Sequence, residues 1–161
     1  MQILPGVPDR HSAGGGAAVP SRSRLDGLSI LVAEDDFRLA RQLEQAILDA
    51  GGSVVGPADT VSDALRLLNV ERVDGAILDT LLHREVPTLV AERLSDKGVP
   101  FVFHADVGLP DALWARFPLT PVCLKAMDAV ALVGALADYL ERTLRGEDGG
   151  DRWPAERRPA N

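Results

Sequence analysis

The sequence predicts a doubly wound α/β domain, a five-stranded parallel sheet with helices on both faces. Two observations carry that prediction. Short apolar runs of β-forming residues alternate with longer segments of helical period, the pattern of βα units. Glycine, proline and capping residues fall at the joints between them.

Taken in order, the first run is Ser29 to Ala33 (SILVA). A helix from about Phe37 to Ala50 follows, repeating apolar residues at Phe37, Ala40, Leu43 and Ile47 and ending at Gly51-Gly52, a glycine stop signal. The second run is Ser53 to Val55, and Thr60 caps the helix after it, with Asp63 three residues on as an acidic variant of the capping box. The third run, Gly75 to Leu78, leads to a short helix at about Thr88 to Leu94, behind Pro87. The fourth, Phe101 to Phe103, leads to a shorter helix near Asp111 to Arg116. The fifth, Val122 to Leu124, precedes a helix at about Asp128 to Leu144 with Val130, Val133, Leu136, Leu140 and Leu144 on one stripe.

Residues 1–26 are rich in Gly, Pro, Ser and Ala without apolar periodicity and read as a disordered arm. Residues 27–145 form the domain. Residues 146–161 read as a flexible charged tail with only Trp153 to bury.

The chain of 161 residues has room for one domain with a sizeable core. One cysteine, Cys123, cannot form an intramolecular disulfide, and the N-terminus lacks the basic start and apolar run of a signal peptide, so a cytoplasmic location is expected. The longest apolar stretch, Ala129 to Ala137, is far short of the ~20 residues of a membrane helix. Residues 28–140 hold 17 acidic and 9 basic side chains, net −8, which repels a phosphate backbone and argues against nucleic-acid binding. Such a surface suits a magnesium ion or a basic patch on a protein partner.

In a sheet of this kind ligands bind outside the carboxyl ends of the strands. The residues directly after the runs are Glu34-Asp35-Asp36, then Asp79-Thr80, His104 and Lys125. In the flavodoxin-like strand order 2-1-3-4-5, strands one and three are neighbours, so Asp35 approaches Asp79 with Lys125 beside them. Crowded carboxylates repel, and a hard divalent cation with oxygen ligands, Mg²⁺, relieves the repulsion. Asp79 can then act as a nucleophile towards phosphorus, with Mg²⁺ and the Lys125 ammonium neutralising the phosphoryl oxygens. Lys125 is one of two lysines against 15 arginines, a compact point charge in a chain that otherwise uses the broader fork.

With "ILVAEDD" carrying Glu34 and Asp35, "AILDTLL" carrying Asp79 and "VCLKAM" carrying Lys125, the stretch from Leu28 to Leu144 resembles the receiver domain of bacterial response regulators, here of the stand-alone type. The runs "VVGPA" from Val54 and "GVPFVF" from Gly98 are similar to those of compact alphaproteobacterial receivers. The resemblance implies a phosphoprotein of two-component signalling or a phosphorelay. Asp79 would accept phosphate from a histidine kinase or histidine phosphotransfer protein. Mg²⁺ would be held by Asp35, Asp79 and the main-chain carbonyl of Leu81, with Glu34 acting through a water, and Lys125 would pair with the phosphate. The output would be binding to a downstream protein, and a homodimer is allowed.

The chain departs from that family at three places. His104 stands where Thr or Ser is usual, Val122 replaces the switch aromatic, and Ala126 replaces the proline after the lysine, so a trans Lys125–Ala126 bond is expected. These departures motivate a second reading, a degenerate receiver that binds partners without phosphorylation. A third, an aspartate-nucleophile phosphohydrolase, ranks low because Leu81 stands where the general acid of such enzymes is found. Acids after a strand also cap helices, and Asp36 reads as a cap for the first helix. His104 reads equally as a hydrogen-bonded pocket residue, and His83 and His11 do not read as ligands. Lys97 reads as a solvated charge, Cys123 as core, and Trp114 as a partner contact.

Overall fold

The computed structural model describes residues 23–146. Five strands, β1 (Ser29–Ala33), β2 (Ser53–Ala58), β3 (Gly75–Asp79), β4 (Phe101–Ala105) and β5 (Val122–Leu124), alternate with five helices. These are α1 (Phe37–Asp49), α2 (Val61–Val70), α3 (Thr88–Asp96), α4 (Asp111–Arg116) and α5 (Ala129–Arg145). The strands form one parallel sheet in the order β2-β1-β3-β4-β5.

Strand residues alternate between two cores because successive side chains leave opposite faces of a sheet. Leu31, Ala33, Ala76, Leu78, Phe101 and Phe103 pack against α2, α3 and α4. Ile30, Val32, Ile77, Val102 and Cys123 pack against α1 and α5. The central strands β3 and β4 are buried along their whole length, as a sheet covered on both faces requires. Phe101, Phe103 and Phe117 meet edge to face, with centroids 5.3 to 6.1 Å apart.

Three helices carry the side-chain caps that their sequences signal. Asp36 accepts from the N–H groups of Arg38 and Leu39, Thr60 from Asp63, and Asp128 from Ala131. Gly146, in the left-handed conformation, closes α5.

Some expectations need correction. Leu25, assigned to the arm, is fully buried among α1 and α5 side chains, and its N–H donates to the Ala50 carbonyl at 2.9 Å. Arg24 pairs with Asp138 and Glu141. A lone leucine has no periodicity to betray it, so the packed segment begins earlier than the composition suggests. The rest of the arm, and the tail after Gly146, lie outside the described residues. Phe37 is 76% exposed, because it stands one turn before the buried stripe of Ala40, Leu43 and Ile47. Val130 and Leu144 are exposed because the face of α5 that meets the sheet is Leu132, Val133, Leu136, Ala137 and Leu140. β2 runs three residues further than expected, through a cis Gly56–Pro57 bond, and the other strand ends extend by up to two residues. Among the described residues that bond is the one cis peptide, so Lys125–Ala126 is trans.

Candidate functional site

The register assembles the site. Ala33 pairs with Leu78 and Asp79 with His104, so Glu34, Asp79 and His104 follow one another across the ends of β1, β3 and β4. They continue the alternation of Val32, Ile77 and Val102, which face α1 and α5. At the end of this apolar face the sheet therefore carries a polar row, and Lys125, two residues after the buried Cys123, closes it.

Glu34, Asp79 and His104 are each 2% exposed. The Lys125 Nζ donates to Asp79 Oδ2 at 2.7 Å and stands 3.5 Å from Glu34 Oε1. The other oxygen of Asp79 accepts from the Leu81 N–H at 3.1 Å. Glu34 Oε1 accepts from the Asp36 N–H at 3.1 Å, and Oε2 lies 3.2 Å from His104 Nδ1. Asp35 is half-buried at the mouth, where its Oδ2 accepts from the His83 N–H at 2.8 Å.

Burial, the strongest influence on both acids, works against charge. In Glu34 it is outweighed by hydrogen bonds from His104, Asp79 and the Asp36 N–H and by the charge of Lys125, which hold its carboxyl below the usual range. In Asp79 burial wins, reinforced by the hydrogen bond and charge of Glu34, and the carboxyl is pushed up to about 7 against the opposing Lys125 and Leu81 contacts. Burial also works against the Lys125 ammonium, but its hydrogen bond to Asp79 and the charges of Glu34, Asp79 and Asp106 raise its pKa. The pocket thus favours one ionised acid, one that holds its proton to near neutrality, and a committed cation.

The metal expectation can be tested on these side chains. Glu34, Asp35 and Asp79 each place one carboxylate oxygen within 4.8 Å of the others. Three hard anionic oxygens on that span suit a divalent cation that binds oxygen at about 2.0–2.1 Å and keeps several waters. The reluctance of Asp79 to ionise is the repulsion such a cation would remove. The donor set fits Mg²⁺.

The predicted residues Glu34, Asp35, Asp79, His104 and Lys125 therefore gather at one strand edge, and Leu81 follows Asp79 with its N–H turned back to that carboxylate. Two features escaped the sequence. His83 enters through its backbone, and its ring lies 3.9 Å from Asp35 and 3.5 Å from Asp59. His83 and Arg84 occupy positive φ, 46° and 67°, at the centre of a tight turn closed by two 2.9 Å bonds between Leu82 and Glu85. Such turns ordinarily announce themselves by Asn-Gly, which is missing here. The second feature is the Glu34–His104 contact, which spans 70 residues and has no local signal. Trp114 is 59% exposed, Val122 is on the surface of β5, and Lys97 is exposed.

A parallel sheet of order 2-1-3-4-5 with helices on both faces is the flavodoxin-like α/β architecture, here with an acid pocket and a lysine at its carboxyl edge. No protein-family model matches the chain, and no curated protein matches it. Among solved structures, SdrG from Sphingomonas melonis Fr1 is 34% identical, over 73% of this chain and 98% of that one, with a TM-score of 0.62. A response regulator receiver protein from Sinorhizobium medicae WSM419 is 23% identical, over 71% and 94%, with a TM-score of 0.61. A CheY-like receiver domain protein from Methanospirillum hungatei JF-1 shares the fold at 16% identity, over 73% and 97%, with a TM-score of 0.64. The chain belongs to the response-regulator receiver-domain family. No helix among the described residues is long and apolar enough to cross a membrane.

Proposed function

We propose that the protein accepts a phosphoryl group on Asp79 from a histidine kinase or histidine phosphotransfer protein and signals by binding a downstream protein in the cytoplasm. The observation that carries this reading is the Lys125 ammonium 2.7 Å from a buried Asp79 that shares its pocket with Glu34 and Asp35. A structural ion pair needs one carboxylate; this pocket brings three to one place and leaves one of them reluctant to ionise.

In the transfer, an Asp79 carboxylate oxygen forms a bond to phosphorus as the donor's P–N bond breaks. The electron pair of that bond leaves with the imidazole nitrogen of the donor, which takes up a proton. Lys125, already at Asp79 Oδ2, neutralises the charge brought by the phosphoryl oxygens. The Leu81 N–H steadies the other Asp79 oxygen, and the His83 N–H steadies Asp35 at the mouth. Glu34, Asp35, Asp79 and the Leu81 carbonyl would hold Mg²⁺, which supplies charge neutralisation to the phosphoryl oxygens. The chain has no general acid beside the nucleophile at Leu81, so the protein acts as an acceptor rather than a turnover phosphatase.

The test is labelling of purified protein by a radiolabelled phosphoryl donor with Mg²⁺, wild type against Asp79→Asn. Label that depends on both Asp79 and Mg²⁺ is expected. An unlabelled wild type would favour the phosphorylation-independent binding module, the reading that His104, Val122 and Ala126 motivate.

A further inference from the structure

We infer that His104 is a positioning residue, whose ring N–H holds the Glu34 carboxylate so that Glu34 in turn fixes the Lys125 ammonium against Asp79. The inference rests on the reading of the pocket as a phosphoryl acceptor. It gives His104, one residue before the end of β4, a task other than touching the phosphoryl group.

The geometry sets up a chain of four side chains. His104 lies next to Asp79 in the strand register, yet its Nδ1 reaches beyond Asp79 to Glu34 Oε2, on the far side of β3, at 3.2 Å. An ionised carboxylate has only acceptor atoms, so Nδ1 carries the proton and donates. The opposite oxygen of Glu34 meets the Asp36 N–H at 3.1 Å and the Lys125 Nζ at 3.5 Å. Both oxygens of a side chain 2% exposed are thus spoken for, and its plane is set from both ends. Lys125 is left with its short contact to Asp79, 2.7 Å, and a longer one to Glu34.

Without the ring donor, Glu34 Oε2 loses its 3.2 Å His104 contact inside a buried pocket. The Lys125 ammonium already stands 3.5 Å from the other oxygen of Glu34, so the carboxylate turns towards the ammonium and draws it from Asp79. The side chain that must meet the incoming phosphoryl oxygens is then displaced by a residue that never contacts them. His104 also lines a cavity of about 180 Å³ with Lys125, Ala126, Met127, Leu39 and Leu132, which gives the ammonium room to shift.

The test compares His104→Leu, which removes the donor, with His104→Asn, whose side-chain N–H takes the place of Nδ1–H. The readout is the labelling rate at saturating Mg²⁺ from a small phosphoryl donor, with Mg²⁺ affinity measured separately by amide shifts. His104→Leu is expected to label about ten-fold or more slowly, in the range seen when a residue supporting a ligand is removed, and His104→Asn within about three-fold of wild type. Wild-type speed in His104→Leu, or equal slowness in His104→Asn, would overturn the inference. A wild type that takes no label would instead overturn the phosphoryl-acceptor reading. Nitrogen-15 spectra of the wild-type ring decide the contact even if a substituted chain is unstable: a protonated Nδ1 is expected, and a ring protonated only at Nε2 contradicts it.

Discussion

Replacing Asp79 by Asn should make the metal-free protein more stable, because the native carboxylate is buried against its own kind. Its carboxyl stands at about 7 against an ordinary 3.8. At ~1.4 kcal/mol per ten-fold in proton affinity, ionised Asp79 disfavours the fold by on the order of 4 kcal/mol above pH 7. Asn removes that charge, and because the value of about 7 is already net of the opposing Lys125 contact, nothing further is subtracted for it. The gain at pH 8 is therefore on the order of 4 kcal/mol, or on the order of 10–20 °C in Tm for a domain of this size. The sign depends on pH. A raised carboxyl favours the fold in its neutral form, so the stability that neutral Asp79 gives is full below about pH 4 and is lost as pH rises through about 7. Glu34, held below its ordinary value, acts in the opposite sense and only in acid. Thermal melts in chelator at pH 8 and pH 5 are the assay: Asp79→Asn should melt well above wild type at pH 8 and by a much smaller margin at pH 5. A variant that melts below wild type at pH 8, or above it by the same margin at both pH values, would show that ionised Asp79 does not strain the fold.

Other consequences can be checked alongside. Lys125→Met leaves Glu34 and Asp79 without their buried ammonium and should lose about 2–4 kcal/mol in urea unfolding at pH 8, and less at pH 5 where Asp79 is neutral. Exchanging His83-Arg84 for Asn-Gly suits the positive φ of that turn and should add about 1–2 kcal/mol to the urea-unfolding free energy, while the backbone N–H to Asp35 is kept. Gly56→Ala places a methyl 2.8 Å from the Ala58 nitrogen and 2.9 Å from the Val32 carbonyl at φ 98°, two backbone atoms that cannot yield. It should lose about 2–4 kcal/mol by the same measurement. Mg²⁺ affinity, followed by amide shifts, should strengthen as pH rises through about 7, because Asp79 must give up its proton to bind.

The sheet was legible because each strand is a short apolar run that starts or stops at a glycine, a proline or a charge, and because a parallel sheet must send polar residues to its carboxyl edge. That logic brings Asp35, Asp79, His104 and Lys125 together from the residue pattern alone. What periodicity could not resolve was where each face ends. Phe37 and Val130 fit a helical repeat but overrun or flank the surface that the sheet covers, and Leu25 packs from a stretch without repeats. The finer wiring was hidden for another reason. The His83 contact is made by a backbone N–H, which any residue supplies, and the His104 bond to Glu34 depends on two side chains crossing an intervening strand. Residue type gave the pocket its members, and only the register showed who holds whom.

The central claim is that Asp79 takes up phosphorus in a pocket that a cation completes. The most direct measurement is to expose the protein to a phosphoryl donor with and without Mg²⁺, reduce the acyl phosphate with borohydride, and locate the resulting homoserine by peptide mass. Homoserine at position 79 is expected, formed with Mg²⁺ and missing in chelator. An unchanged aspartate there, or modification of another carboxylate in its place, would contradict it.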